Sequence, residues 1–167
     1  MNADAVVALY RRLQALGIPI WLDGGWGVDA LLGEQTRPHD DLDIVVEEHH
    51  LLGLRAALQD DGFKDVERDD TSAWNFVLGH DDGRLIDVHA IVFDAAGNGI
   101  YGPAEHGLKY PAGSLSGVGR VESVEVKCLT AAFQVARSGY TLRDKEFRDV
   151  RALCERFGLA LPASFSS

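Results

Sequence analysis

Three features of the chain combine residue type and spacing in ways that could do chemistry. Asp41 and Asp43 stand two residues apart in the run Asp41-Leu42-Asp43-Ile44. On a strand, the period of two puts both carboxylates on one face and turns Leu42 and Ile44 the other way, into a core. Two acids side by side on a half-buried strand repel each other and cost stability unless a cation lies between them. Asp87 is embedded in Leu85-Ile86-Asp87-Val88-His89-Ala90-Ile91. A carboxylate in such an apolar run is expensive to bury unless paired, hydrogen-bonded or bound to metal. Gly24-Gly25 joins a short apolar run to a helical pattern. A glycine turn at a helix start offers unpaired N–H groups, the positive dipole end and close backbone approach, all suited to a phosphate. Each feature also has an ordinary reading: an exposed acidic strand start, an Asp bridged to some Arg, and a tight turn that needs glycine.

In combination the three suit one reaction. Carboxylates from two neighbouring strands can hold two divalent ions about 4 Å apart, the arrangement used for in-line phosphoryl or nucleotidyl transfer. Oxygen-only ligands favour Mg²⁺ or Mn²⁺ over zinc. The glycine turn would hold a triphosphate beside the ions. Asp87 is the expected base for an acceptor hydroxyl, since Asp41 and Asp43 are needed as bridging metal ligands. Arg37, just ahead of the Asp pair, could touch a phosphate or fix the carboxylates, or be a surface-loop Arg.

Positioning these groups falls to elements that the hydrophobic pattern outlines. A helix is expected over 6–16 after an Asp4 cap, then a buried strand over 18–22 and a second helix over 26–32 ending at Gly33. A strand over 41–46 and a helix over 49–59 follow. Strands are expected over 64–67, 74–79 and 84–93, with Asp81-Asp82-Gly83 as the hairpin turn between the last two. Residues 95–130 read as loops and short strands, with a hairpin over 119–129. Two helices close the chain, over 130–137 and 143–156, with Gly139 between them. The fold class is therefore α/β (α+β), a mixed β-sheet flanked by helices. Residues 1–127 form the sheet-bearing domain and residues 128–167 a C-terminal helical segment packed on it.

Composition narrows the class of partner. The 167 residues carry 16 Lys+Arg and 26 Asp+Glu, a formal net charge of −10, with 46% apolar and 25% charged residues. That is a globular domain able to bury a sizeable core without a disulfide or metal scaffold. No basic patch is visible, which excludes polymeric nucleic acid and an anionic membrane surface. No secretory signal and no spanning apolar run are present, so a cytoplasmic location is expected. Cys128 and Cys154 have no metal or redox spacing and read as small buried hydrophobes in a reducing compartment. Trp21, Trp26 and Trp74 read as core anchors.

The stretch from Trp21 to Gly33, followed by Arg37-Pro38-His39-Asp40-Asp41-Leu42-Asp43-Ile44, resembles the small antibiotic nucleotidyltransferases, the lincosamide and aminoglycoside adenylyltransferase branch of the polymerase-β-like superfamily. Gly24-Gly25, Asp41-x-Asp43 and Asp87 match that superfamily's glycine turn, Asp pair and third carboxylate. Ile86-Asp87-Val88-His89 and the C-terminal Cys128-Leu129-Thr130, Gln134, Ser138-Gly139-Tyr140 and Asp149 look closest to the lincosamide enzymes. Arg137 departs from the His usual there, which puts a role for that side chain in doubt. The resemblance implies a nucleotidyltransferase fold, two Mg²⁺ (or Mn²⁺), and ATP or another nucleoside triphosphate as co-substrate. It also implies transfer of a nucleoside monophosphate to a hydroxyl of a small antibiotic, a lincosamide rather than an aminoglycoside, conferring resistance. Nucleotide contacts are expected from Gly24, Gly25 and Arg37, and drug contacts from His89, Tyr101, Glu105 and Tyr140. A homodimer is the expected assembly. The alternatives are an aminoglycoside enzyme, a non-catalytic nucleotide- or drug-binding domain, and a toxin–antitoxin-type nucleotidyltransferase.

Overall fold

Residues 1–137 and 144–165 are described by the computed structural model. Helix α1 (Ala3–Ala15) is capped by Asn2, whose side chain accepts from the Ala5 amide, so the cap falls two residues before the expected Asp4. Its buried Val6, Leu9, Tyr10 and Leu13 follow the helical repeat and pack into the main core. After β1 (Ile20–Leu22), helix α2 (Gly24–Leu32) begins two residues earlier than the pattern suggested. Asp23 is extended and accepts from the Gly24 amide, so it is the N-cap, and the two glycines form the helix's first turn. Gly33 ends the helix in the left-handed conformation, as its position predicts.

The remaining strands are β2 (Asp41–Glu47), β3 (Lys64–Val66), β4 (Asn75–Gly79), β5 (Leu85–Phe93), β6 (Gly99–Tyr101), β7 (Lys109–Tyr110), β8 (Gly117–Val121) and β9 (Val124–Cys128). They join β1 in one mixed sheet ordered β3-β4-β5-β2-β1-β9-β8, with β6 paired to the end of β5 and β7 to β6. The β2–β5 and β1–β9 pairs are parallel and the other pairs antiparallel. A parallel neighbour requires a crossover. Between β2 and β5 it runs through helix α3 (Leu51–Asp60) and the β3–β4 pair. His49 and His50 sit in a 3-10 turn before α3 rather than in the helix itself. The expected hairpin over 119–129 is the β8–β9 pair.

Alternation along the two central strands decides which face carries chemistry. Leu42, Ile44 and Val46 on β2, with Ile86 and Val88 on β5, face a core shared with α1 and α3. Asp41, Asp43, Asp87 and His89 occupy the intervening positions. Helices α4 (Ala131–Arg137) and α5 (Asp144–Phe157) pack on α2 through Val28, Val135, Val150 and Leu153, joined by Phe165 of the 3-10 turn Ala163–Phe165. Cys128 and Cys154 are both free and buried, and Trp21 and Trp26 are buried as anchors. No helix among the described residues is long and apolar enough to cross a membrane.

Candidate active site

The parallel register sets Asp43 directly beside Asp87. The start of α2 is drawn to the same place, because the Asp23 amide donates to the Asp43 carbonyl at 3.0 Å. Gly24 has φ +54°, and a Cβ there would lie 2.0 Å from Asp43 Oδ2. A Cβ on Gly25 would lie 2.3 Å from His39 Nδ1 and 2.8 Å from Arg37 Nη2. Both positions thus require glycine for close approach, and Gly24 also for its backbone. These groups line one cleft of about 640 Å³.

Donor atoms of Asp43, Asp87 and His89 all lie within 4.8 Å of one another. His89 Nε2 is 3.9 Å from Asp43 Oδ1 and 3.8 Å from Asp87 Oδ1. Asp87 Oδ1 is buried and has no hydrogen-bond partner, while Arg68 stands 3.9 Å from Asp87 Oδ2. Asp41 lines the same cleft but lies outside this three-residue group. Burial pushes the Asp41 carboxyl above its ordinary value, and the Asp43 charge adds to the shift. Burial likewise pushes Asp87 up, with Asp43 reinforcing it against the relief from His89. At Asp43 burial also acts upward, but His89, Arg137 and Lys145 outweigh it and the carboxyl lies low. Burial opposes protonation of His89, yet Asp43, Asp23 and Asp87 together raise its value. An orphaned carboxylate oxygen beside further hard donors fits a divalent cation.

Arg37 is held rather than free. Its guanidinium donates to Asp149 on α5 at 2.8 Å and contacts His39 Nδ1 at 2.9 Å. The other His39 nitrogen meets Asp29 Oδ2 at 2.5 Å, with both side chains almost fully buried. Thr36 adds a hydroxyl bond of 2.6 Å to Asp29 Oδ1.

Other expected contacts fall differently. The Tyr101 hydroxyl is engaged by His89 and Asn75. Glu105 is exposed on the 3-10 turn Ala104–His106 and is not among the residues lining the cleft. Tyr140 lies outside the described residues. Arg137, set in doubt by the sequence, lines the cleft and donates to the buried Asp23 carboxylate. Asn75 and Lys145 also escaped the sequence reading. A carboxylate directly before Gly-Gly at a buried strand end was the available signal for the pairing of Asp23, since such a group demands a cationic partner.

The sequence profile of the aminoglycoside-2''-adenylyltransferase family matches residues 5–153. This chain belongs to that family. It is 29% identical over 140 residues to a lincosamide resistance protein of Staphylococcus haemolyticus, covering 81% of this chain and 84% of that protein. A 2''-aminoglycoside nucleotidyltransferase of Escherichia coli is 40% identical over 48 residues, 27% of each chain. Among solved structures, the lincosamide antibiotic adenylyltransferase LnuA with lincomycin bound superposes with a TM-score of 0.78 at 26% identity, over 92% of this chain and 96% of that one. ANT(2'')-Ia in complex with adenylyl-2''-tobramycin gives a TM-score of 0.74 at 23% identity, over 93% and 89% of the two chains, a likeness of fold. The enzyme is an antibiotic nucleotidyltransferase with the mixed α/β fold of that group.

Proposed function

We propose that this enzyme transfers AMP from ATP to a hydroxyl of a lincosamide antibiotic and releases pyrophosphate. The observation that carries the reading is the Asp43–Asp87 pair, set in register on parallel strands beside the glycine-started helix α2. Asp41, Asp43 and Asp87 would hold two Mg²⁺. The lining supports that need. Six acids (Asp40, Asp41, Asp43, Asp87, Glu146, Asp149) face three strong bases (Arg37, Arg137, Lys145), so a bare triphosphate would be repelled. When bound, the cations neutralise the phosphate oxygens and make the α-phosphorus more electrophilic.

The chain's own residues do the rest. The Gly25 amide at the start of α2 and the Arg37 guanidinium orient the phosphates, the Gly24 amide being taken by the Asp23 cap. The drug hydroxyl oxygen bonds to the α-phosphorus while the bond to the bridging oxygen breaks, and the electron pair leaves with pyrophosphate. Asp87 takes the hydroxyl proton.

Lincosamide is favoured because the sequence match to the lincosamide resistance protein covers 81% of this chain against 27% for the aminoglycoside enzyme, and LnuA superposes at the higher TM-score and identity. The aminoglycoside reading is supported by the family profile and the short 40% match. Both drug classes are cationic, and an acid-lined cleft attracts either. The test is to incubate the purified protein with ATP, Mg²⁺ and either lincomycin or tobramycin, following drug mass and pyrophosphate. Lincomycin gaining one AMP is the expected result. Product from tobramycin alone moves the substrate to the second reading, and product from neither defeats the proposal.

A further inference from the structure

We infer that His89 is a nitrogen ligand of the active-site cation, held in the required tautomer by Tyr101 and Asn75. The inference rests on the nucleotidyl-transfer reading above and adds to it a ligand and a cation preference.

The hydrogen-bond directions follow from one end of a chain of contacts. Asn75 Nδ2 donates to the Asp70 carbonyl at 3.2 Å and to Asp70 Oδ2 at 3.1 Å. Both partners are acceptors, so the Asn75 amide must turn its oxygen toward Tyr101. The Tyr101 hydroxyl donates to that oxygen at 2.8 Å. Its proton is thereby committed, and toward His89 Nδ1, 3.1 Å away, it can only accept. The proton of a neutral His89 therefore sits on Nδ1. Nε2 is left as a lone pair directed at Asp43 and Asp87.

The sheet makes this chain of contacts rigid. Asn75 is the cross-strand partner of His89 on β4 and β5, and Tyr101 is the partner of Ile91 where β6 meets β5. All three side chains thus hang on paired strands, and Tyr101 stacks edge-on against Tyr110.

The distances at Nε2 suit a shared cation better than direct contacts. Separations of 3.8 and 3.9 Å to the two carboxylate oxygens exceed hydrogen-bond length. Two ligands on one cation, each bonded at about 2.1 Å, stand roughly 3 to 4 Å apart. The same geometry accounts for Asp87 Oδ1, which is buried without a hydrogen-bond partner. A donor set of two carboxylates and one imidazole favours a first-row transition ion over Mg²⁺, so Mn²⁺ should bind more tightly than Mg²⁺.

The experiment is pulsed EPR of Mn²⁺ bound to the full chain with a non-hydrolysable ATP analogue. ¹⁵N-histidine labelling separates protein nitrogen from the nucleotide's. Glu47, His49 and His50 form another cation-sized group at the surface, so a His49→Ala/His50→Ala background removes it. The expected result is a histidine nitrogen coupled to Mn²⁺ that disappears in His89→Asn. Tyr101→Phe, which keeps the ring, should weaken Mn²⁺ binding about tenfold and Mg²⁺ binding less. Bound Mn²⁺ with no histidine coupling overturns the inference while leaving nucleotidyl transfer standing. Unchanged Mn²⁺ affinity in Tyr101→Phe overturns the positioning role. Protein that retains no Mn²⁺ with the analogue overturns both this inference and the proposed function.

Discussion

Asp29, buried on α2, and Asp87, on the cleft floor, are both carboxylates largely withdrawn from water, yet the chain treats them differently. Asp29 has a ring nitrogen of His39 at 2.5 Å and a Thr36 hydroxyl at 2.6 Å. Its neighbours follow suit: Asp23 is joined to Arg137, and Asp149 to Arg37 at 2.8 Å. On the floor, the nearest cationic groups to Asp87 stand at 3.8 and 3.9 Å, and one of its oxygens is unsatisfied. Asp41 makes no ion pair among the described residues. Acids that frame the site are compensated from within the chain. On the floor, Asp41 and Asp87 are left for charge that arrives from outside.

The largest effect should come from the floor. Asp43→Asn keeps size and shape but removes the charge between Asp87 and the start of α2. Turnover should fall on the order of 10³-fold, equivalent to several kcal/mol of lost transition-state stabilisation, while the fold is kept and the unfolding midpoint drops only by the stability that the downward-shifted Asp43 contributes. Steady-state product formation and a urea titration read the two quantities. Retained turnover would break the contrast at its functional end. The framing acids should respond in the opposite way. His39→Ala leaves Asp29 buried beside a lone hydroxyl and amide, and breaking such a pair costs about 3 kcal/mol of stability. Its urea midpoint should drop markedly, and a midpoint equal to the wild type would show that the pair does not hold the frame.

That division was only half visible in the sequence. Asp41 and Asp43 stood out because they alternate with Leu42 and Ile44, and Asp87 because an acid among Leu, Ile and Val is conspicuous within seven residues. Gly24-Gly25 was legible for the same local reason, although the helix proved to start on the glycines because Asp23 caps it. The framing pairs were not legible. Arg137 meets Asp23 across 114 residues and Arg37 meets Asp149 across 112, and no local period encodes contacts of that range. Tyr101 is among the drug contacts that the resemblance implies. The bond of its hydroxyl to Asn75, 26 residues away, was not legible, because the Gly- and Pro-rich stretch concealed the strand pairing that makes it.

A smaller effect reads the floor by pH. Asp41 and Asp87 have folded-state values above those of the unfolded chain, so the native state holds their protons longer as pH rises. With more protons bound in the native than in the unfolded state, stability falls with rising pH. For the cation-free protein the contribution is fully present below the ordinary carboxylate value of about 4 and is lost as pH climbs through the raised ones. Asp43, shifted down, contributes with the opposite sign. Asp87→Asn should remove part of the slope and raise the cation-free unfolding midpoint at neutral pH, although it removes the catalytic base. Mg²⁺ should flatten the wild-type slope in the same way. An Asp87→Asn midpoint below the wild type would show that the floor is compensated after all.

The smallest effect is the sharpest control, because it holds distance constant. Arg12 Nε and Asp61 Oδ2 are 2.6 Å apart, almost the separation of His39 and Asp29, but their side chains are 43% and 35% exposed rather than 3% and 2%. Water and salt already screen the exposed pair, and holding two flexible side chains in one geometry costs entropy. Asp61→Ala also removes one acid from a chain of net charge −10, which relieves self-repulsion and offsets part of the lost contact. Its effect on unfolding should stay below about 1 kcal/mol, with turnover unchanged. A loss as large as that of His39→Ala would mean that separation rather than burial ranks the acids of this molecule, and the contrast between frame and floor would have to be redrawn on distance alone.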